Sequence, residues 1–331
     1  MTAWAGLALL LLCPPARALQ GNAGRNTSQF LRIGAGARAL GLGEAYGPVA
    51  EGAEAIYWNP AGLASQAVPE FHYSRTEFAR FFHHDFAAYA HPVGKGTLAA
   101  SLTRFSQDEL PLVTNGNVTL GSFSPHSEAV SFAYARLFSS DTPPLPGQDD
   151  LYSSPEPAAE PSGRSFKLGL ALKVIRETIY KYDSTAVSAD GGVIYHPARD
   201  KALSLSAAFR NVGTKQKFIS QKEDLPSELA LGVSYSCRWE QSRLLPALEA
   251  TFPYQGLSQL KIGLEYSRPA GEGSTVAFRM GYKALAAADL NPLAGLTAGL
   301  GAGFKRFSVD FAFQPMAELG QAYRMSLAFR W

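Results

Sequence analysis

The sequence predicts an all-β membrane protein: an antiparallel outer-membrane β-barrel of about 14 strands with a small N-terminal plug of short helical turns. Three observations lead there. Apolar residues alternate with other residues at a period of two along most of the chain. The second face of those segments carries glycine, alanine, lysine and arginine, which suits a partly filled lumen better than a water-facing sheet. Only 18% of residues are charged, and the net charge is +2. Such a balance lacks the clustered basic footprint of a nucleic-acid binder. No apolar run is long enough for a spanning helix, a test that spanning strands escape because they alternate.

Residues 1–18 read as a secretory signal peptide, with the apolar run "WAGLALLLLC" and cleavage after Ala18 in "ARA". Removing it leaves Cys237 as the lone thiol, so no intrachain disulfide is expected. Residues 19–66 form the N-terminal segment and plug. Small residues dominate 30–66, and Leu31, Leu40, Leu42, Ile56 and Leu63 are scattered among them, a pattern for short helical turns rather than a wall strand. Within "EAIYWNPAGLAS", Asn59, Pro60, Ala61 and Gly62 set a rigid turn between bulky aromatics. That turn is expected to lie against the Gly- and Ala-rich wall and to feed the first strand.

The barrel proper is expected over 67–331. Alternation places strands near 70–78, 82–92, 96–106, 127–138, 165–177, 184–196, 201–212, 227–239, 243–253, 257–268, 274–284, 294–304, 306–314 and 321–331. "STVAFRMGYK" is representative: Val276, Phe278, Met280 and Tyr282 oppose Ala277, Arg279, Gly281 and Lys283. The apolar members are expected to meet lipid. Residues 139–164, rich in Pro, Ser and acid, read as a disordered loop on the periplasmic side. The surface loops are expected at roughly 107–126, 213–226 and 285–293.

The final strand, "QAYRMSLAFRW", sets Tyr323, Met325, Leu327, Phe329 and Trp331 on one face. Aromatics at both ends of that face are the layout of a lipid-facing strand with interfacial rings. The strand resembles the C-terminal recognition strand of bacterial outer-membrane barrels, which implies the barrel-assembly machinery as a partner.

Chemistry-bearing motifs are sparse. Neither G-x-S-x-G nor H-E-x-x-H occurs, and His83 with Asp85 falls short of the three or four ligands of a zinc site. No enzyme activity, metal or cofactor is expected. Lys167, Lys173, Arg210, Arg279, Lys283 and Arg324 fall on the inner face. They serve either to attract an anionic ligand or to pair with the plug carboxylates Glu44, Glu51 and Glu54.

The stretch "FLRIGAGARALGLGEAYGPVAEGAEAIYWNPAGLAS" resembles the N-terminal signature of the PorV/PorQ family, relatives of the FadL-like fourteen-stranded barrels. The similarity continues through "SADGGVIYHP", "FRNVG", "DLPSELALGVSY", "KIGLEY" and "FRMGYK", and the acidic 139–164 departs from it. The resemblance implies residence in the cell outer membrane in contact with its lipid. It also implies a part in type IX protein secretion, with the translocon, an attachment complex or cargo C-terminal domains as partners. The alternative is a FadL-like transporter of hydrophobic small molecules. Nucleic acid is not expected as a partner.

Overall fold

The computed structural model describes residues 27–78, 81–139, 164–198, 202–218, 221–285, 292–316 and 320–331. The expected signal peptide, residues 19–26 and nearly all of the acidic loop lie outside them. Fourteen antiparallel strands form one closed wall: β1 Glu70–Phe78, β2 Phe82–Val93, β3 Gly96–Gln107, β4 His126–Ser139, β5 Ser165–Ile179, β6 Tyr182–His196, β7 Leu203–Gly213, β8 Glu228–Tyr235, β9 Ser242–Pro253, β10 Gln259–Pro269, β11 Ser274–Leu285, β12 Leu296–Phe304, β13 Phe307–Pro315 and β14 Gln321–Arg330. Beyond Ser236, Cys237–Trp239 continues β8 along β9. Every strand pairs with its sequence neighbours, and β1 pairs with β14 from Glu70↔Arg330 to Phe78↔Ala322. That last pairing removes the open edge. All fourteen strands fall where the alternation places them.

The pleat decides the two faces. Phe132, Leu170 and Met325 point outward and are 64%, 66% and 58% exposed, whereas Ala135, Ala312 and Ser74 point inward and are at most 1% exposed. Large apolar groups thus face away from the lumen, the reverse of a water-soluble sandwich. No helix among the described residues is long and apolar enough to cross a membrane.

The two rims differ. Trp331 donates its N–H to the Pro69 carbonyl at 3.3 Å, so chain end and strand start share one rim. The two-residue turns 94–95, 240–241 and 305–306 lie at this terminal rim. Gly94, Glu240 and Lys305 take positive φ there, as tight hairpins require. Ser139 and Arg164, the anchors of the acidic loop, lie at the same rim, where Ser139 pairs with Ser165. The opposite, long-loop rim holds two features that the sequence reading treats as plain loops. Leu110–Val113 pairs with Thr119–Phe123, and Gln216–Phe218 pairs with Gln221–Glu223. Both hairpins are too short for alternation to register.

Residues 27–66 fill the lumen as five short helical turns: Gln29–Arg32, Ala37–Gly41, Gly47–Val49, Ala55–Trp58 and Pro60–Ser65. The plug begins at the long-loop rim, where the Thr27 hydroxyl donates to Glu177 Oε2 at 3.0 Å and its N–H to the Asp224 carbonyl at 3.3 Å. It leaves at the terminal rim through Gln66. Its Leu42, Tyr46, Ile56, Trp58 and Leu63 are at most 2% exposed and form a core with inward alanines of the wall.

Candidate functional site

The interface between plug and wall, together with the space left above it, is the candidate site. Its lower part is set by shape. The Asn59 side chain accepts from the Ala61 N–H at 3.1 Å, capping the turn Pro60–Ser65, and donates to the Val193 carbonyl at 3.2 Å. Pro60 sits at the first helical position, where its missing N–H costs nothing. A Cβ on Gly169 of β5 would lie 2.3 Å from the Pro60 carbonyl carbon, so only glycine lets wall and turn meet. Asn59, Pro60, Ala61 and Gly62 thus lie where the plug meets β5 and β6.

The middle part is set by charge. Arg38 of the plug ion-pairs with Glu51 of the plug and reaches Glu265 of β10 at 2.8 Å. Arg279 of β11 binds that same Glu265 at 2.7 Å and Asp310 of β13 at 2.6 Å. Burial alone would raise the Glu51 carboxyl, but Arg38 outweighs it and holds the group below its usual range. Glu54 behaves oppositely: burial raises it, His72 Nε2 stands 3.6 Å away, and the Tyr46 hydroxyl donates to it. Trp58 closes this layer. Its indole N–H donates to the Ala35 carbonyl at 2.9 Å, with the Arg210 guanidinium 5.4 Å and the Lys261 ammonium 5.6 Å from its ring centre.

These contacts correct the expectation that the plug carboxylates neutralise the wall cations. Lys173 pairs with Asp190 at 2.8 Å and donates to Asn211 at 2.7 Å, both residues of the wall. Arg210 pairs with Glu228 at 2.7 Å and Glu249 at 3.6 Å. Arg279 uses Glu265 and Asp310, and Lys167 belongs to the inward set near the terminal rim. The partners are wall residues because inward acids sit on the next strand, as Glu228 and Glu265 do, or two strands on, as Glu249 and Asp310 do. Glu44 alone meets the expectation, pairing with Lys283 at 2.9 Å and facing Arg324 at 3.9 Å.

Above Glu44 lies a cavity of about 250 Å³ toward the long-loop rim. Arg32, Glu44, Lys283, Ala294, Gln314 and Arg324 line it. Arg324 anchors its floor by donating to Thr76 at 2.6 Å and to the Gly36 carbonyl at 3.2 Å. Burial would raise Glu44, yet Lys283, Lys261 and Arg324 together pull it down to about 2. Lys283, Arg324 and Glu44 were legible as inward or plug residues; that Arg32 joins them was not, because the fold of the plug decides it.

The remaining predicted residues fall outside this site. Tyr323, Met325, Leu327 and Phe329 face outward, and Trp331 stacks on Tyr89 and Phe329 at the terminal rim, with centroids 5.6 and 5.3 Å apart. His83 faces Asp108 at 3.2 Å and Asp85 faces Arg75 at 3.3 Å, so the pair read together in the sequence is divided between two partners.

No protein-family model matches this chain, and no curated protein does. Solved structures do. The toluene transporter TodX of Pseudomonas putida is 11% identical and superposes with a TM-score of 0.54 over 90% of this chain and 98% of that one. A Pseudomonas aeruginosa FadL homologue is 10% identical, with a TM-score of 0.50 over 88% and 97%. The CymD monoaromatic hydrocarbon channel gives 10% and 0.50 over 90% and 98%. At such identities the likeness speaks for the fold: a plugged, fourteen-stranded outer-membrane β-barrel.

Proposed function

We propose that this protein is a plugged outer-membrane carrier for hydrophobic small molecules, admitted at the long-loop rim and passed beside the plug. The observation that carries this reading is the cavity that descends from that rim onto the plug-to-wall pair Glu44–Lys283. A space of about 250 Å³ holds a single-ring compound rather than a folded domain. Neighbours of the same fold described as a toluene transporter and a monoaromatic hydrocarbon channel support the direction. Labelled toluene uptake by Gram-negative cells expressing the protein tests it. Ala294→Trp at the cavity wall should cut uptake several-fold at equal surface expression; unchanged uptake in that variant sinks the reading.

A second reading, an interaction component of type IX secretion, is favoured by the PorV/PorQ-like segments quoted above. The hairpin at the long-loop rim supports it too, since Val113, Val118 and Leu120 stand exposed there and suit a partner protein. Affinity capture from solubilised outer membranes separates the two: translocon or cargo C-terminal domains would favour secretion, and lipid alone would count against it. In either reading the signal peptide directs export, and the C-terminal strand from Tyr323 to Trp331 serves as the signal to the assembly machinery.

A further inference from the structure

The outer wall carries a feature that neither reading uses. Ala87 of β2 and Ala100 of β3 are diagonal neighbours on the lipid-facing side, because Ala87 pairs with Leu102 and Tyr89 with Ala100. Two methyl groups among larger side chains leave a shallow groove of about 300 Å³, bounded by Phe71, Tyr89, Leu102 and Val130. It is almost wholly apolar, the surface an acyl chain would cover.

Directly toward the long-loop rim the outward positions change character. One cross-strand row reads Arg75, Asp85, Arg104, Glu128 and Arg176 over β1 to β5, each residue paired in register with the next. Asp85 and Arg104 stand two residues beyond Ala87 and Leu102, about 7 Å along their strands. By contrast, no outward strand position among the described residues of β11–β14 is charged.

Arg75 and Arg104 are only loosely satisfied. Arg75 lies 3.3 Å from Asp85, and Arg104 lies 3.4 Å from Glu128, with arginine side chains 42% and 50% exposed. The Tyr73 hydroxyl donates to Asp85 at 2.6 Å and holds that carboxylate beside Arg75. Each arginine keeps free donors, and guanidinium groups bind phosphate in a fork.

We infer that this face of the barrel holds one phosphate-headed lipid of the outer leaflet, its acyl chain in the Ala87–Ala100 groove and its phosphate on Arg75 and Arg104. The closed outer-membrane fold already places the groove in hydrocarbon, which names the occupant's tail; the arginine row above it names the head. Asp85 and Glu128 orient the guanidinium groups rather than touch the lipid.

Native mass spectrometry of the protein in mild detergent, titrated with bis-phosphorylated lipid A, tests the assignment. The wild type should retain one lipid adduct that a neutral, phosphate-free diacylglycerol does not displace. Ala87→Leu with Ala100→Leu fills the groove, and Arg75→Gln with Arg104→Gln removes the head contacts; each pair should weaken the adduct at least tenfold. Ala298→Leu with Ala302→Leu, on the lipid-facing side of β12, should leave it intact. A heat-modifiability gel on each variant confirms a closed barrel. An adduct indifferent to both test pairs, equally weakened by the β12 pair, or displaced by the neutral lipid overturns the inference.

Discussion

The two ends of the plug are held by different forces. The turn Pro60–Ser65 rests on Gly169 with its backbone against the wall backbone, and Asn59 is its sole polar key. The segment from Arg38 to Glu51 also lies against wall glycines, Gly263 and Gly281, but adds buried charges through Glu265, Lys283 and Arg324. Shape-set contacts are indifferent to salt and pH, and charge-set ones are not. The difference teaches where motion is cheap: the lower turn is a fixed anchor, while the upper segment, beside the cavity, is the part that solution conditions or a ligand can release.

The largest expected effect strikes the charged half. Glu265→Leu removes the carboxylate shared by Arg38 and Arg279 and leaves two buried cations facing each other. Losing one partner of a buried pair costs ~3–5 kcal/mol. Protease digestion of the folded barrel should then cut within the plug, and an undigested plug would dissolve the contrast drawn here.

Next comes the shape-set half. Gly169→Val drives side-chain atoms into the Pro60 backbone, and overpacking of that kind costs ~1–3 kcal/mol. The plug should lift at its lower end, seen as faster hydrogen exchange over residues 59–65 with residues 38–51 little changed. Uniform acceleration over the whole plug would show that the halves are one unit. A milder probe of the same end is Asn59→Ala, which removes the cap at ~1 kcal/mol and should lower the temperature of barrel opening on gels by a few degrees.

The smallest effect is a titration. Glu44 sits at about 2 in the folded protein against an ordinary 4.5, so its folded value is the depressed one. Such a group stabilises fully above the ordinary value and loses that contribution as pH falls toward the folded one. Acidification from pH about 4.5 to about 2 should therefore raise exchange over residues 38–51 while residues 59–65 stay protected. Single-channel conductance rising over the same interval would agree; flat conductance and exchange would argue that the Lys283 contact does not hold the plug.

Much of this was legible in the chain. Strands show because the pleat has a period of two and each wall residue must choose lipid or lumen, so Val276, Phe278 and Met280 announce their side without any partner being known. The Asn59–Gly62 turn shows because Pro and Gly have few other uses between aromatics. Ion pairing was not legible. Whether Arg210 meets Glu228 or a plug acid depends on strand register and on how the plug threads the lumen, and both are long-range facts. The pairing of Trp58 with Arg210 and Lys261 was hidden for the same reason, since 152 residues separate Trp58 from Arg210.

The seam between Glu70 and Arg330 joins residues 260 apart and completes the cylinder. Everything from Thr27 to Gln66 lies inside that cylinder and spans it from one mouth to the other. Sliding such a stopper into a finished tube would drag Arg38, Glu44 and Glu51 through a narrow bore lined by small and charged side chains, past the wrong counter-charges. Zipping the first stave to the last around a stopper already in place avoids that passage. The geometry therefore favours filling before sealing, with the β1–β14 seam the last join to form.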